Sequence, residues 1–186
     1  MSVLVLGIGN ILWADEGFGV RAVEAFHRLY AMAGGVELLD GGTQGLYLVD
    51  RVCDADRLVV FDAIDYGLAP GTLKMVRGDA VPKFTGAKKM SLHQTGFQEV
   101  LSAADLMDRY PDDIALIGCQ PLDLEDWGGP LSPPVAAAIE PAIAMAIDLL
   151  AGWGVAPVRR KTPLAAGKGL LGHDIDRAGY ERPRAG

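Results

Sequence analysis

The chain has 186 residues, 50% of them apolar and 22% charged, a balance that suits one globular domain with a single sizeable core. Its 24 acidic and 17 basic side chains leave a net charge of −7. This composition excludes a disordered chain, a collagen-like repeat and a small disulfide scaffold, and the acidic balance argues against binding nucleic acid, which needs a basic footprint.

Val3-Leu4-Val5-Leu6 is a continuous apolar run ending at Gly7, the pattern of a strand buried on both faces. Met1-Ser2 leads straight into it with no basic start, so no export signal is expected. From Glu16 to about Met32, Val20, Val23, Phe26 and Tyr30 recur at helical spacing and predict an amphipathic helix. Val36 to Leu39 reads as a second strand, closed by Asp40-Gly41-Gly42, and Leu46 to Arg51 as a short helix. Leu58-Val59-Val60-Phe61 is a third apolar strand, ending in Asp62.

After a turn through Pro70-Gly71, Thr72 to Val76 predicts a short edge strand, and a loop with Pro82 and Gly86 leads to His93. Phe97, Val100, Leu101, Ala104 and Met107 mark a helix, and Ile114 to Ile117 a further strand ending at Gly118-Cys119. Ser132 followed by Pro133-Pro134 is a helix start, with the hydroxyl as cap, and Pro141 is the expected kink before the helix ends near Gly152. Glu140, Pro141 and Asp148 interrupt the apolar stretch from Val135 to Trp153 and argue against membrane insertion. Cys53 and Cys119 lack metal-type spacing and are expected to be reduced thiols in the cytoplasm.

Residues 157–186 carry 7 basic and 3 acidic side chains, against 10 and 21 in residues 1–156. They read as an appended Gly/Pro-rich tail, a frayed terminus being the plainer expectation and a fold back onto the acidic body the alternative. The alternation of strands and helices in residues 1–156 predicts an α/β domain. Its core is a doubly wound, mostly parallel sheet of about five strands with helices on both faces.

Chemistry in such folds sits beyond the carboxyl ends of the strands. Gly7 and Gly9 match the first two glycines of a dinucleotide fingerprint, with Asp40 as the ribose acid, but Leu12 stands where the third glycine belongs. Asp15-Glu16 also places two carboxylates where a pyrophosphate needs amides. A metal reading uses Glu16, Asp62 and His93 as two oxygen ligands and one nitrogen ligand with coordination positions left open. Each has a plainer reading: Glu16 complementing the helix dipole, Asp62 capping a loop, His93 packing locally. Cys119 reads as a buried, inert thiol, no Gly-x-Ser-x-Gly elbow is present, and an Asp40–Asp62 pair activating water is a minor alternative.

The segments Gly7-Ile8-Gly9-Asn10, Asp15-Glu16-Gly17, Gly19-Val20-Arg21, Asp40-Gly41-Gly42-Thr43, Asp62-Ala63-Ile64-Asp65, Pro70-Gly71-Thr72 and Ser91-Leu92-His93-Gln94 occur in that order. Together they resemble the hydrogenase maturation endopeptidases, which remove a C-terminal extension from the nickel–iron hydrogenase large-subunit precursor after nickel insertion. The resemblance covers about residues 3 to 156 and looks most like the uptake-hydrogenase branch. It implies that Glu16, Asp62 and His93 contact nickel supplied by the substrate, that Asp40, Gly41, Gly42 and Thr43 recognise the precursor, and that no organic cofactor takes part. A monomer acting on one protein partner is expected. The alternative is a non-catalytic, nickel-dependent assembly chaperone of the large subunit.

Overall fold

The opening apolar run forms β1 (Val3–Ile8), buried at every position, and its side chains divide between two cores. Val3 and Val5 face one helical layer, and Leu4, Leu6 and Ile8 face the other. Helices over both faces make such a strand read as an unbroken apolar run rather than an alternation. The same division holds for β4 (Arg57–Ala63) and β6 (Asp113–Cys119). The structure is a computed structural model that describes residues 1–32, 34–82, 92–165, 167–172 and 174–180, with 92 and 93 described in the backbone alone.

With β3 (Val36–Gly42) and β5 (Leu73–Arg77), these strands form a five-stranded sheet in the order β3-β1-β4-β6-β5. Neighbours are parallel except β5, which joins the edge at β6 antiparallel. One face carries α1 (Phe18–Leu29), α4 (Pro133–Ala137) and α5 (Ile139–Gly152). The other carries α2 (Val49–Cys53) and α3 (Leu92–Leu106). This is the doubly wound sheet that the alternation of elements predicts. The stretch 133–152 has the length and mean hydropathy (1.7) of a membrane span, yet Ile139, Ala142, Ile143, Ala146, Leu149 and Leu150 are buried in the core.

Three local expectations are revised. The helix foreseen from Glu16 to Met32 is a 3-10 turn at Ala14–Gly17 followed by α1, and it stops at Leu29. Tyr30 turns extended because β2 (Tyr30–Ala31) pairs antiparallel with β7 (Val158–Arg159). Pro141 does not kink one helix; the chain breaks at Ala138 into α4 and α5. A proline clashes with the carbonyl four residues earlier, here Ala137, where α4 ends. Ser132 holds the cap position of α4 without a capping hydrogen bond from its side chain, because its hydroxyl donates to Asp15 Oδ2 at 2.8 Å.

The residues after 156 contact α1 at several points. Arg160 N–H donates to the Leu29 carbonyl at 2.8 Å and Leu164 N–H to that of Arg28 at 3.1 Å. Arg21 and Glu24 form a buried ion pair (3.0 Å). Arg21 Nη1 also donates to the Ile175 carbonyl at 2.8 Å, and Glu24 Oε1 accepts the N–H of Arg177, the first residue of α6 (Arg177–Tyr180), at 2.9 Å.

Candidate functional site

The chain passes from β1 to β3 on one side and then to β4 on the other, so the winding reverses between β1 and β4. The carboxyl ends of strands at such a reversal leave a crevice for ligands. Glu16 follows β1 and Asp62 lies near the end of β4, so both residues stand at the carboxyl ends of the two strands that flank the reversal.

Close backbone packing brings them there. Gly9 has φ 133°, and a Cβ on it would collide with the carbonyl oxygen of Glu16. Gly19 faces the carbonyl oxygens of Ile8 and Phe61 with no room for a methyl group. Gly9, the second glycine of the apparent dinucleotide fingerprint, therefore serves a tight turn, and Gly19 lets α1 sit directly on two strands. Glu16 is half-buried in the turn, its N–H donating to the Trp13 carbonyl at 2.9 Å. Asp62 is fully buried and pairs in register with Gly118.

Asp15 points the other way. Its carboxylate is fully buried; Oδ2 accepts Leu122 N–H (2.8 Å), Asp123 N–H (2.9 Å) and the Ser132 hydroxyl (2.8 Å). Oδ1 accepts Ser132 N–H at 2.7 Å. Asp15 thus welds the β6–α4 loop to the turn that carries Glu16. Ala14, the residue before, has φ 36° and is buried, a strained backbone held by those bonds. Sequence reasoning singled out Glu16 as a candidate ligand and gave Asp15 no role of its own.

The first turn of α3 docks on the same edge, where the buried Gln94 side chain donates Nε2 to the Ala63 carbonyl at 2.8 Å. The backbone of His93 is therefore one residue from an anchor on the residue after Asp62, while its side chain lies outside the described residues. Among the described residues, to which the His93 imidazole does not belong, no group of three or more His, Cys, Asp or Glu is placed to hold a metal ion. Ser91 and the loop residues 83–90, including Gly86, also lie outside the described set.

Asp40 pairs with Gly7 of β1 just before a register shift that sets Gly42 opposite Ile8, and its Oδ1 accepts Gly42 N–H at 2.9 Å. Burial raises its carboxyl above the ordinary value, offset in part by the Gly42 bond and the Arg21 charge. Thr43 is exposed at the tip of this loop, and Gly42 is tied to the β1 exit by a 3.0 Å bond from Gly9 N–H to its carbonyl.

A further group escaped the sequence. The Tyr66 ring lies over Gly118, the register partner of Asp62, with its hydroxyl buried. Burial first and the Asp62 charge second push its proton affinity up, so the phenol is a neutral donor at physiological pH. Gln120 holds the loop that carries it, accepting Tyr66 N–H at 2.7 Å and Leu68 N–H at 3.1 Å. Cys119, deeply buried beside these residues, has its thiol pushed up to about 12 by burial and the Asp15 charge, as an inert thiol should. The edge thus gathers two carboxylates in distinct surroundings, a neutral phenol and the start of a helix bearing an imidazole.

A model of the hydrogenase maturation protease family matches residues 20–149. The hydrogenase expression/formation protein HupD of Bradyrhizobium diazoefficiens is 70% identical over 179 residues, which span 96% of this chain and 93% of that one. The hydrogenase maturating endopeptidase HybD from Escherichia coli has the same fold, with a TM-score of 0.81 at 42% identity over 86% of this chain and 98% of that one. The NiFe hydrogenase maturation protease HybD from Thermococcus kodakarensis gives a TM-score of 0.66 at 28% identity over 80% of this chain and 99% of that one.

Proposed function

The chain belongs to the hydrogenase maturation protease family, and we propose that it cuts its substrate only when that substrate already holds nickel. It is an endopeptidase that processes the C-terminus of the hydrogenase large-subunit precursor. One water is consumed as the scissile C–N bond is replaced by a carboxylate and an amine. Nickel belongs to the precursor in this reading, and Glu16, Asp62 and His93 complete its coordination.

What supports the proposal is that Glu16 and Asp62 follow the two strands flanking the sheet reversal, with the first turn of α3 anchored at Ala63, the residue after Asp62. Two carboxylate oxygens and one imidazole nitrogen suit a borderline divalent ion and leave positions for ligands from the precursor. A precursor without nickel lacks that anchor, so the metal contact acts as a quality check through binding. Holding the extension at the metal also brings the scissile bond to a fixed place on the rim. The loop Asp40-Gly41-Gly42-Thr43, on the adjoining strand, reads the precursor beside the cut. The free, buried Cys53 and Cys119 support a cytoplasmic enzyme, and the need to admit a large protein substrate favours a monomer.

The test is the mass of purified precursor after incubation with the enzyme, with and without prior nickel loading. Loss of the extension from the nickel-loaded form alone is the expected result. Equal cleavage of the nickel-free form would overturn the proposal.

A further inference from the structure

The four loops that leave the carboxyl ends of the parallel strands, residues 9–16, 40–48, 62–71 and 119–132, contain eight acidic residues and no Lys or Arg. Large apolar side chains stand exposed on the same loops: Leu12, Leu46, Tyr47, Leu68, Leu122 and Trp127. Leu46 and Tyr47 are neighbours on a 3-10 turn and Leu68 stands alone, but the other three are built into a rigid clasp next to Glu16. Trp127 is 62% exposed, yet its ring meets Trp13 edge to face at 5.0 Å and its backbone forms an antiparallel bridge with Trp13. Gly128 N–H donates to the Leu12 carbonyl at 2.8 Å. Leu122 is 60% exposed while its own N–H is held by Asp15. Asp123 accepts the N–H groups of Glu125 and Asp126 at 2.8 and 3.1 Å, which shapes the turn between the two apolar residues.

Exposed apolar side chains in a fixed backbone lose little conformational freedom on binding, and aromatic anchors of this kind dominate protein interfaces. The eight acidic residues on these four loops select a partner segment of positive charge. We propose that the clasp of Leu12, Leu122 and Trp127 is the docking surface for the precursor segment beside the scissile bond, and that this segment offers an apolar side chain and a Lys or Arg. The inference rests on the reading that the precursor is cut at the Glu16 edge, with which the clasp is continuous through Asp15.

Initial rates on purified nickel-loaded precursor, read by mass over a range of precursor concentrations, test it. Trp127→Ala is expected to raise KM about thirtyfold with little change in kcat. Trp127→Phe should recover most of the loss. Leu122→Ser, which leaves the Trp13 stack untouched, should raise KM in the same direction. The double variant Glu125→Lys, Asp126→Lys should lower kcat/KM at low ionic strength, the deficit shrinking as salt rises. An unchanged KM in both Trp127→Ala and Leu122→Ser would overturn the docking surface. An unchanged rate in the charge-reversed variant would overturn the positive charge assigned to the segment. Glu16→Gln separates the two readings: full cleavage by that variant rejects the assigned edge, whereas its inactivity beside an unaffected Trp127→Ala rejects the docking surface alone.

Discussion

Replacing Asp15 with alanine should loosen the site without touching its ligands. The substitution leaves four donors without their acceptor: the N–H groups of Leu122, Asp123 and Ser132, and the Ser132 hydroxyl. Bonds to a charged acceptor contribute about 1.5–3 kcal/mol each. The two Ser132 bonds count nearly in full, whereas the Leu122 and Asp123 amides lie on an open loop and regain water. Removing a fully buried carboxylate relieves its own desolvation, which leaves a net loss of about 4 kcal/mol. For a chain of this size that corresponds to a drop of roughly 8–16 °C in Tm. Asp15→Asn should fall between, because one amide oxygen in the place of Oδ2 keeps three bonds while its NH2 opposes Ser132 N–H. Circular dichroism melts of the three proteins measure this. An alanine variant that melts within about 2 °C of the parent would refute the weld assigned to Asp15.

Two further outcomes follow from protonation. With its thiol at about 12, Cys119 should resist alkylation by iodoacetamide at pH 8 in the folded protein and react once urea unfolds it; prompt labelling of folded enzyme, located by peptide mapping, would contradict the buried thiol. Asp40 binds its proton more tightly folded than unfolded, chiefly through burial, so its ionisation weakens the fold. That penalty is absent below the ordinary value of 3.8, grows as pH rises from there, and is complete above the raised folded value. Asp40→Asn should therefore melt above the parent at pH 7 and level with it near pH 3, and a difference independent of pH would contradict the buried carboxyl.

The sheet was legible because its central strands are covered on both faces. Val3 to Leu6 and Leu58 to Phe61 announce themselves as apolar runs, and the residues that follow them fall at one edge. Glu16 and Asp62 could be picked out for that reason. The carboxylate of Asp15 could not, since its four donors come from Leu122, Asp123 and Ser132, more than a hundred residues away. Ser132 looked like a helix cap because spacing shows position and not the partner its hydroxyl finds. Gly9 mimicked a phosphate-binding glycine because the same freedom serves any close backbone approach, here to the Glu16 carbonyl. The pairing of β2 with β7 was invisible, as two-residue strands have no period to detect. Tyr66 escaped because only the sheet register puts Gly118 beneath its ring and Asp62 beside it.

The central claim is that Glu16, Asp62 and His93 sense nickel held by the precursor. The most direct measurement is the dissociation constant for nickel-loaded against nickel-free precursor, taken by calorimetry on the parent enzyme and on Glu16→Gln, Asp62→Asn and His93→Ala. The account predicts a preference for the nickel-loaded form of at least about tenfold in the parent, roughly the 1.4 kcal/mol that one added coordination contact readily supplies, and its loss in each variant. A preference that survives in all three variants would contradict it.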